Sequence, residues 1–80
     1  LCPDFVIEVR SKTDSLKYLQ DKMSEYLANG CRLGWLIDRT EQKAYIYRPG
    51  KEVETIATFE SVLSGEEVLP HFVFELKWIQ

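Results

Sequence analysis

The chain has 80 residues, 45% of them apolar, and a formal charge of −3 from ten Lys and Arg against 13 Asp and Glu. That is room for one small domain of ordinary globular composition, too rich in aromatics for a disordered tract. No run approaches the roughly 20 apolar residues of a membrane span, no charged-then-apolar leader points to secretion, and the acidic balance argues against a general polyanion binder, which needs clustered Lys and Arg. The first element is Pro3 to Arg10, PDFVIEVR, in which Phe5, Ile7 and Val9 alternate with Asp4, Val6, Glu8 and Arg10. Period two in a β-branched and aromatic run predicts a strand, with Pro3 at its first position, where a missing N–H is tolerated. Because the chain opens on Leu1 and runs at once into this strand, the expectation is a piece of a longer protein, its C-terminal half.

SKTDS then supplies helix-start chemistry, with Thr13 or Asp14 as the cap. A helix follows from Ser15 to Ala28, its apolar stripe made by Leu16, Leu19, Met23, Tyr26 and Leu27 with Lys17, Asp21 and Glu25 opposite; Asn29-Gly30 stops it. Leu33 to Ile37 reads as a buried strand ending at Asp38, Arg39 to Gln42 as a turn, KAYIYR as a third strand and Pro49-Gly50 as the next turn. EVETIATF predicts a fourth strand. Ser64 to Glu67 predicts a turn or short helical start, and His71 to Leu76 a short extended piece before a last turn around Trp78. Strand–helix–strand makes a right-handed crossover with parallel strands, and the tight turns add an antiparallel meander. The predicted class is α/β leaning to α+β: residues 1–80 form one domain, with a mixed sheet and one main helix.

Most familiar chemistries find no residues here. Cys2 and Cys31 lie 29 positions apart with no CxxC, and with the single His71 they make no zinc framework. Cys31 reads as a buried free thiol and the compartment as reducing and cytoplasmic; His71, after Pro70, reads as a surface residue. There is no GxSxG elbow and no Gly-rich phosphate loop. Trp35, Tyr45, Tyr47 and Trp78 lack the basic interleaving of a base-stacking platform and read as core and sheet-surface packing, since residues 33–80 hold five Lys or Arg against eight Asp or Glu.

Carboxylates and lysines remain. Glu8 stands inside a strand beside Ile7 and Val9; if both faces of that strand are covered, its charge needs a partner or a cation. The plainer alternative is a solvated face, or a pair with Arg10 or Lys12. Asp4 shares the Glu8 face, but four residues of strand separate the two by about 13 Å at a rise of roughly 3.3 Å per residue, too far to share one ion easily; its plainer reading is a strand-start residue paired with a nearby N–H. At 100° per residue Lys22 borders the apolar stripe beside Tyr26, one turn on, and Gln20 borders it on the other side. Lys22 either aims its ammonium at the carboxylate of the first strand or snorkels outward. The two readings separate by distance: a Lys22 that serves Glu8 must bring Nζ within about 8 Å of it, the limit of a water-bridged contact.

Taken in order, PDFVIEVRS, LQDKMSEYLANG, RLGWLID, IYRPG and VLSGEEVLPHFVFEL resemble the Uma-two family of the restriction-endonuclease-like PD-(D/E)XK superfamily, from Pro3 to about Leu76 and over the C-terminal half of that family's domain. The resemblance implies a restriction-endonuclease-like mixed sheet and Mg²⁺- or Mn²⁺-dependent hydrolysis of DNA phosphodiesters. It implies Glu8 as the acidic metal ligand of the motif's second half. Arg10 stands where the superfamily usually has Lys, and Lys22 takes the place of a lysine that moved onto the helix; Asp4, Gln20 and Tyr26 are supporting candidates. The family's other metal-binding Asp is expected upstream of Pro3, so the piece alone is expected to be inactive. The alternative is a degenerate member acting as a protein interaction or assembly module, for which an unpaired sheet edge offers a route to self-association.

Overall fold

A computed structural model describes residues 3–79 of the chain. Cys2, weighed above with Cys31, lies outside the described residues. The elements are β1 (Phe5–Val9), α1 (Leu16–Ala28), β2 (Leu33–Asp38), β3 (Lys43–Tyr47), β4 (Glu54–Ile56), β5 (Val62–Ser64), β6 (Val73–Glu75) and a closing 3-10 turn (Leu76–Ile79). One sheet has the order β1-β2-β3-β4, with β1 parallel to β2 and the later pairs antiparallel; β5 and β6 pair separately. This is the mixed α+β class expected from the pattern, one helix linking the two parallel strands.

All six residues of β2 are buried, because this central strand is covered on both faces. On one face Leu36 packs with Leu19 and Met23 of α1 and with Tyr47, and Val6, Leu16, Tyr26, Leu27 and Tyr45 close the edges. On the other, Leu33, Trp35 and Ile37 join Ala44, Ile46, Phe59, Leu63 and Leu76. The helix stripe read from spacing is therefore the stripe that packs. Gly34 lets it approach: a Cβ there would stand 2.6 Å from Met23 Cε and 3.2 Å from Val6 Cγ2.

The local chemistry differs from expectation at the helix start. Ser15, not Thr13 or Asp14, is the cap, its hydroxyl accepting from the Tyr18 N–H at 3.0 Å. Asp14 is already engaged one turn earlier, where its carboxylate accepts from Ser11 N at 3.1 Å and Ser11 Oγ at 2.8 Å. These two bonds hold the Asp14 carboxyl below its ordinary range. At the other end Asn29 caps α1 and Gly30 takes φ +104°, the left-handed turn that stops the helix.

Two strand expectations are corrected. β1 is shorter than Pro3 to Arg10, and Pro3 lies before the pairing begins. β4 covers only Glu54–Ile56 of the expected EVETIATF strand; the chain turns at Thr58, whose hydroxyl accepts from Glu60 N at 3.1 Å, and sends Phe59 into the core. Of the turn or short helical start expected over Ser64 to Glu67, the turn is what forms: Ser64 closes strand β5, and the turn that follows is tied by Gly65 N to Phe72 O at 2.8 Å. The aromatic reading holds for Trp35 and Tyr47, both buried, and for half-buried Tyr45; Trp78 is exposed and rests edge-on against Phe74.

Candidate active site

Val6, Glu8 and Arg10 point to the helix side of β1, and Glu8 lies in register with Leu36 of β2. Above them runs the border of α1 that carries Lys22 and, one turn on, Tyr26. Lys22 Nζ stands 3.0 Å from Glu8 Oε2, and the Tyr26 hydroxyl donates to the same oxygen at 3.1 Å. The Glu8 side chain keeps 21% of its surface exposed and Lys22 38%, so the trio opens to solvent at the rim of the helix–sheet seam. The hydrogen bond and charge of Glu8 push the Lys22 ammonium above its ordinary value, so it stays protonated. Its hydrogen bond to Glu8, then burial, holds the Tyr26 phenol on its proton. The carboxylate is thereby fixed between two donors.

The remaining candidates fall elsewhere. Arg10 does not pair with Glu8: its Nη1 stands 2.9 Å from Asp38 Oδ2 and its Nε donates to the Asp14 carbonyl at 3.1 Å. Lys12 is exposed in the β1–α1 loop. Asp4 contributes its carbonyl, which accepts from Arg32 N at 2.9 Å and Leu33 N at 3.1 Å and so starts the β1–β2 ladder, while the residue itself is exposed. Gln20 is half-buried on the far border of the stripe. Cys31 is a buried, reduced thiol pointed at the Leu33 carbonyl, 3.2 Å away, and His71 is exposed.

The residue that sequence reasoning passed over is Asp38. It is fully buried, holds Arg10 through Oδ2 and accepts from Glu41 N through Oδ1 at 3.2 Å. The available signal is a carboxylate closing an otherwise apolar run, at a parallel strand end where solvation is lost.

Among the described residues no group of three or more His, Cys, Asp or Glu stands close enough to hold a metal ion. Glu8 offers one carboxylate, and its Oε2 is already shared by two donors. These residues do not by themselves fit a metal centre. No helix among the described residues is long and apolar enough to cross a membrane.

A family model described as "Uma2: Putative restriction endonuclease" matches residues 1–77. Among solved structures, the crystal structure of a "putative nuclease belonging to DUF820" from Anabaena variabilis ATCC 29413 matches with a TM-score of 0.85 at 27% identity. The match covers 96% of this chain and 43% of that one, so the chain spans less than half the length of that solved relative. No curated protein matches it.

Proposed function

Because the chain belongs to the Uma2 family of restriction-endonuclease-type proteins, we propose that it is the C-terminal part of a DNA-cleaving domain, with Glu8 and Lys22 as its share of the active site. The observation that carries this reading is the 3.0 Å contact between Lys22 Nζ and Glu8 Oε2, made by a helix-border lysine over a strand carboxylate. A divalent Mg²⁺ or Mn²⁺ would take Glu8 as one ligand and at least one further carboxylate from the rest of the protein; when bound it supplies an activated water and neutralises phosphoryl charge. Glu8, held by Tyr26, has a fixed position from which to orient such chemistry. Lys22, kept protonated by Glu8, places a full positive charge where negative charge gathers on the phosphoryl oxygens. Tyr26 acts through the Glu8 carboxylate and is a positioning residue. We assign the intact protein to the reducing cytoplasm, where Cys31 remains a thiol.

The test uses the intact protein. Glu8→Ala is expected to abolish Mg²⁺-dependent cleavage of DNA, and Lys22→Met to lower kcat by about 10²–10³, the usual cost of removing one donor from a developing oxyanion. Cleavage undiminished in Glu8→Ala overturns the reading. The same ion pair also suits a degenerate member, in which it only pins the helix to the sheet. Calorimetry in which the intact protein takes up neither Mg²⁺ nor Mn²⁺ moves the conclusion to that interaction module.

A further inference from the structure

Exposed aromatic rings stand on both sides of the sheet. On the side away from α1, Phe72 and Trp78 each rest on another ring: Phe72 stacks on Trp35 at 5.9 Å and Trp78 meets Phe74 edge-on at 5.3 Å. On the helix side stands Tyr18. It is 60% exposed, and among the described residues no aromatic ring packs against it.

Position ties this ring to Glu8. Tyr18, Lys22 and Tyr26 follow one another at i, i+4 and i+8, so they form one row along the helix border that overlies β1. Lys22 and Tyr26 close on Glu8 Oε2, and Tyr18 continues the row into solvent. Its phenol is near enough to bear electrostatically on the Lys22 ammonium. Four residues of helix rise about 6 Å, and side chains lean toward the helix N-terminus. The ring therefore covers the ground just beyond Lys22, toward the Ser15 cap. Its backbone is held there, since Tyr18 N donates to Ser15 Oγ at 3.0 Å.

We infer that Tyr18 stacks on an unpaired base of the DNA strand, the base next to the phosphodiester presented to Glu8 and Lys22. The inference rests on the nuclease reading and adds to it the form of the substrate, a strand that is single or locally open where it meets α1. In an intact duplex each base is covered by its neighbours in the stack, so a ring beside the phosphate-facing lysine meets only a base that has left the stack. Such a contact accepts any base, because every base offers a π-face. Tyr18 then positions the strand through its ring, and its hydroxyl is dispensable.

The test is the binding of a fluorescently labelled single strand, and of the matching duplex, to the intact protein in EDTA, followed by anisotropy, with Mg²⁺-dependent cleavage assayed separately. Tyr18 is exposed, and Ala and Phe both fit a helix, so neither variant disturbs the core. Tyr18→Ala is expected to weaken single-strand binding about 5- to 150-fold, the range for one lost base–aromatic stack. Tyr18→Phe is expected to bind as the wild type does, and duplex binding to stay level in both variants. Single-strand affinity unchanged in Tyr18→Ala, in a protein that cleaves DNA, overturns the stack and leaves the nuclease standing. An equal loss in Tyr18→Phe also overturns it, by assigning the contact to the hydroxyl, and so does an equal loss for the duplex. A selective loss in the Tyr18→Ala variant of a protein that cleaves nothing retains the stack and overturns the nuclease. A wild-type protein that neither binds nor cleaves either form overturns both.

Discussion

Two ion pairs on one face of β1 behave differently because their burial differs. Lys22 and Tyr26 meet Glu8 at the solvent rim, and both hold their protons above their ordinary values of 10.5 and 10.0. Groups with raised folded values stabilise the fold fully below their unfolded values, and the contribution is lost as pH rises through the folded ones. The contact is therefore intact at neutral pH and is lost in alkali. Subtracting a Tyr26→Phe phenolate absorbance titration from that of the wild type should show Tyr26 ionising above pH 10, and Glu8→Gln should bring it down. Arg10 and Asp38 form the deeper pair. Arg10→Met strands a fully buried carboxylate that keeps the Glu41 N–H as a donor but loses its ion-pair partner. A loss on the order of 3 kcal/mol in urea unfolding is expected, of which Asp38→Asn on the same background restores a large part.

At the level of elements, small residues decide how closely parts pack. Gly34→Ala meets the flexible end of Met23 and should cost about 1 kcal/mol; Gly65→Ala meets the Leu69 carbonyl at 2.5 Å and Leu69 Cβ at 2.7 Å, neither free to yield, and should cost about 3 kcal/mol. Ser15→Ala should remove about 1 kcal/mol of capping, and Thr13→Ala much less. Unfolding midpoints of the four variants give this order directly. The same physics explains what could be read in advance. Thirteen residues of α1 repeat their stripe often enough to fix the packed face, and that geometry alone put Lys22 at its border beside Tyr26. Strands β4, β5 and β6 have three residues each, too few to establish a period. The Arg10–Asp38 pair joins residues 28 apart, and only the parallel register of β1 on β2 brings them together. The sequence points to Thr13 or Asp14 as the cap; the Asp14 carboxylate is taken by Ser11, and Ser15 caps the helix instead.

At the scale of the whole molecule, the fold is built outward from β2. Its two faces carry separate cores, one under α1 and one under the β5–β6 ladder, and both neighbouring strands bond to it. Backbone amides of β2 should accordingly be among the slowest to exchange with deuterium, and those of the three-residue strand β4 among the fastest within the sheet. Charge is divided along the chain in a related way. Residues 1–32 carry five basic and five acidic groups, and the acidic excess lies in residues 33–80. The β1–α1 portion can thus present local positive charge in a protein that is acidic in sum.

Trp35 brings an optical consequence. Its indole is ringed by Phe5 edge-on at 4.8 Å and Phe72 stacked at 5.9 Å, and among the described residues its Nε1 finds no hydrogen-bond acceptor. An indole in so apolar a setting emits at short wavelength and is shielded from aqueous quenchers, whereas Trp78, 58% exposed, emits to the red and is open to iodide. Trp78→Phe would leave one shielded emitter whose colour depends on Phe5, three residues from Glu8 on the same strand. The protein thereby carries its own label-free gauge of whether the strand bearing Glu8 is seated.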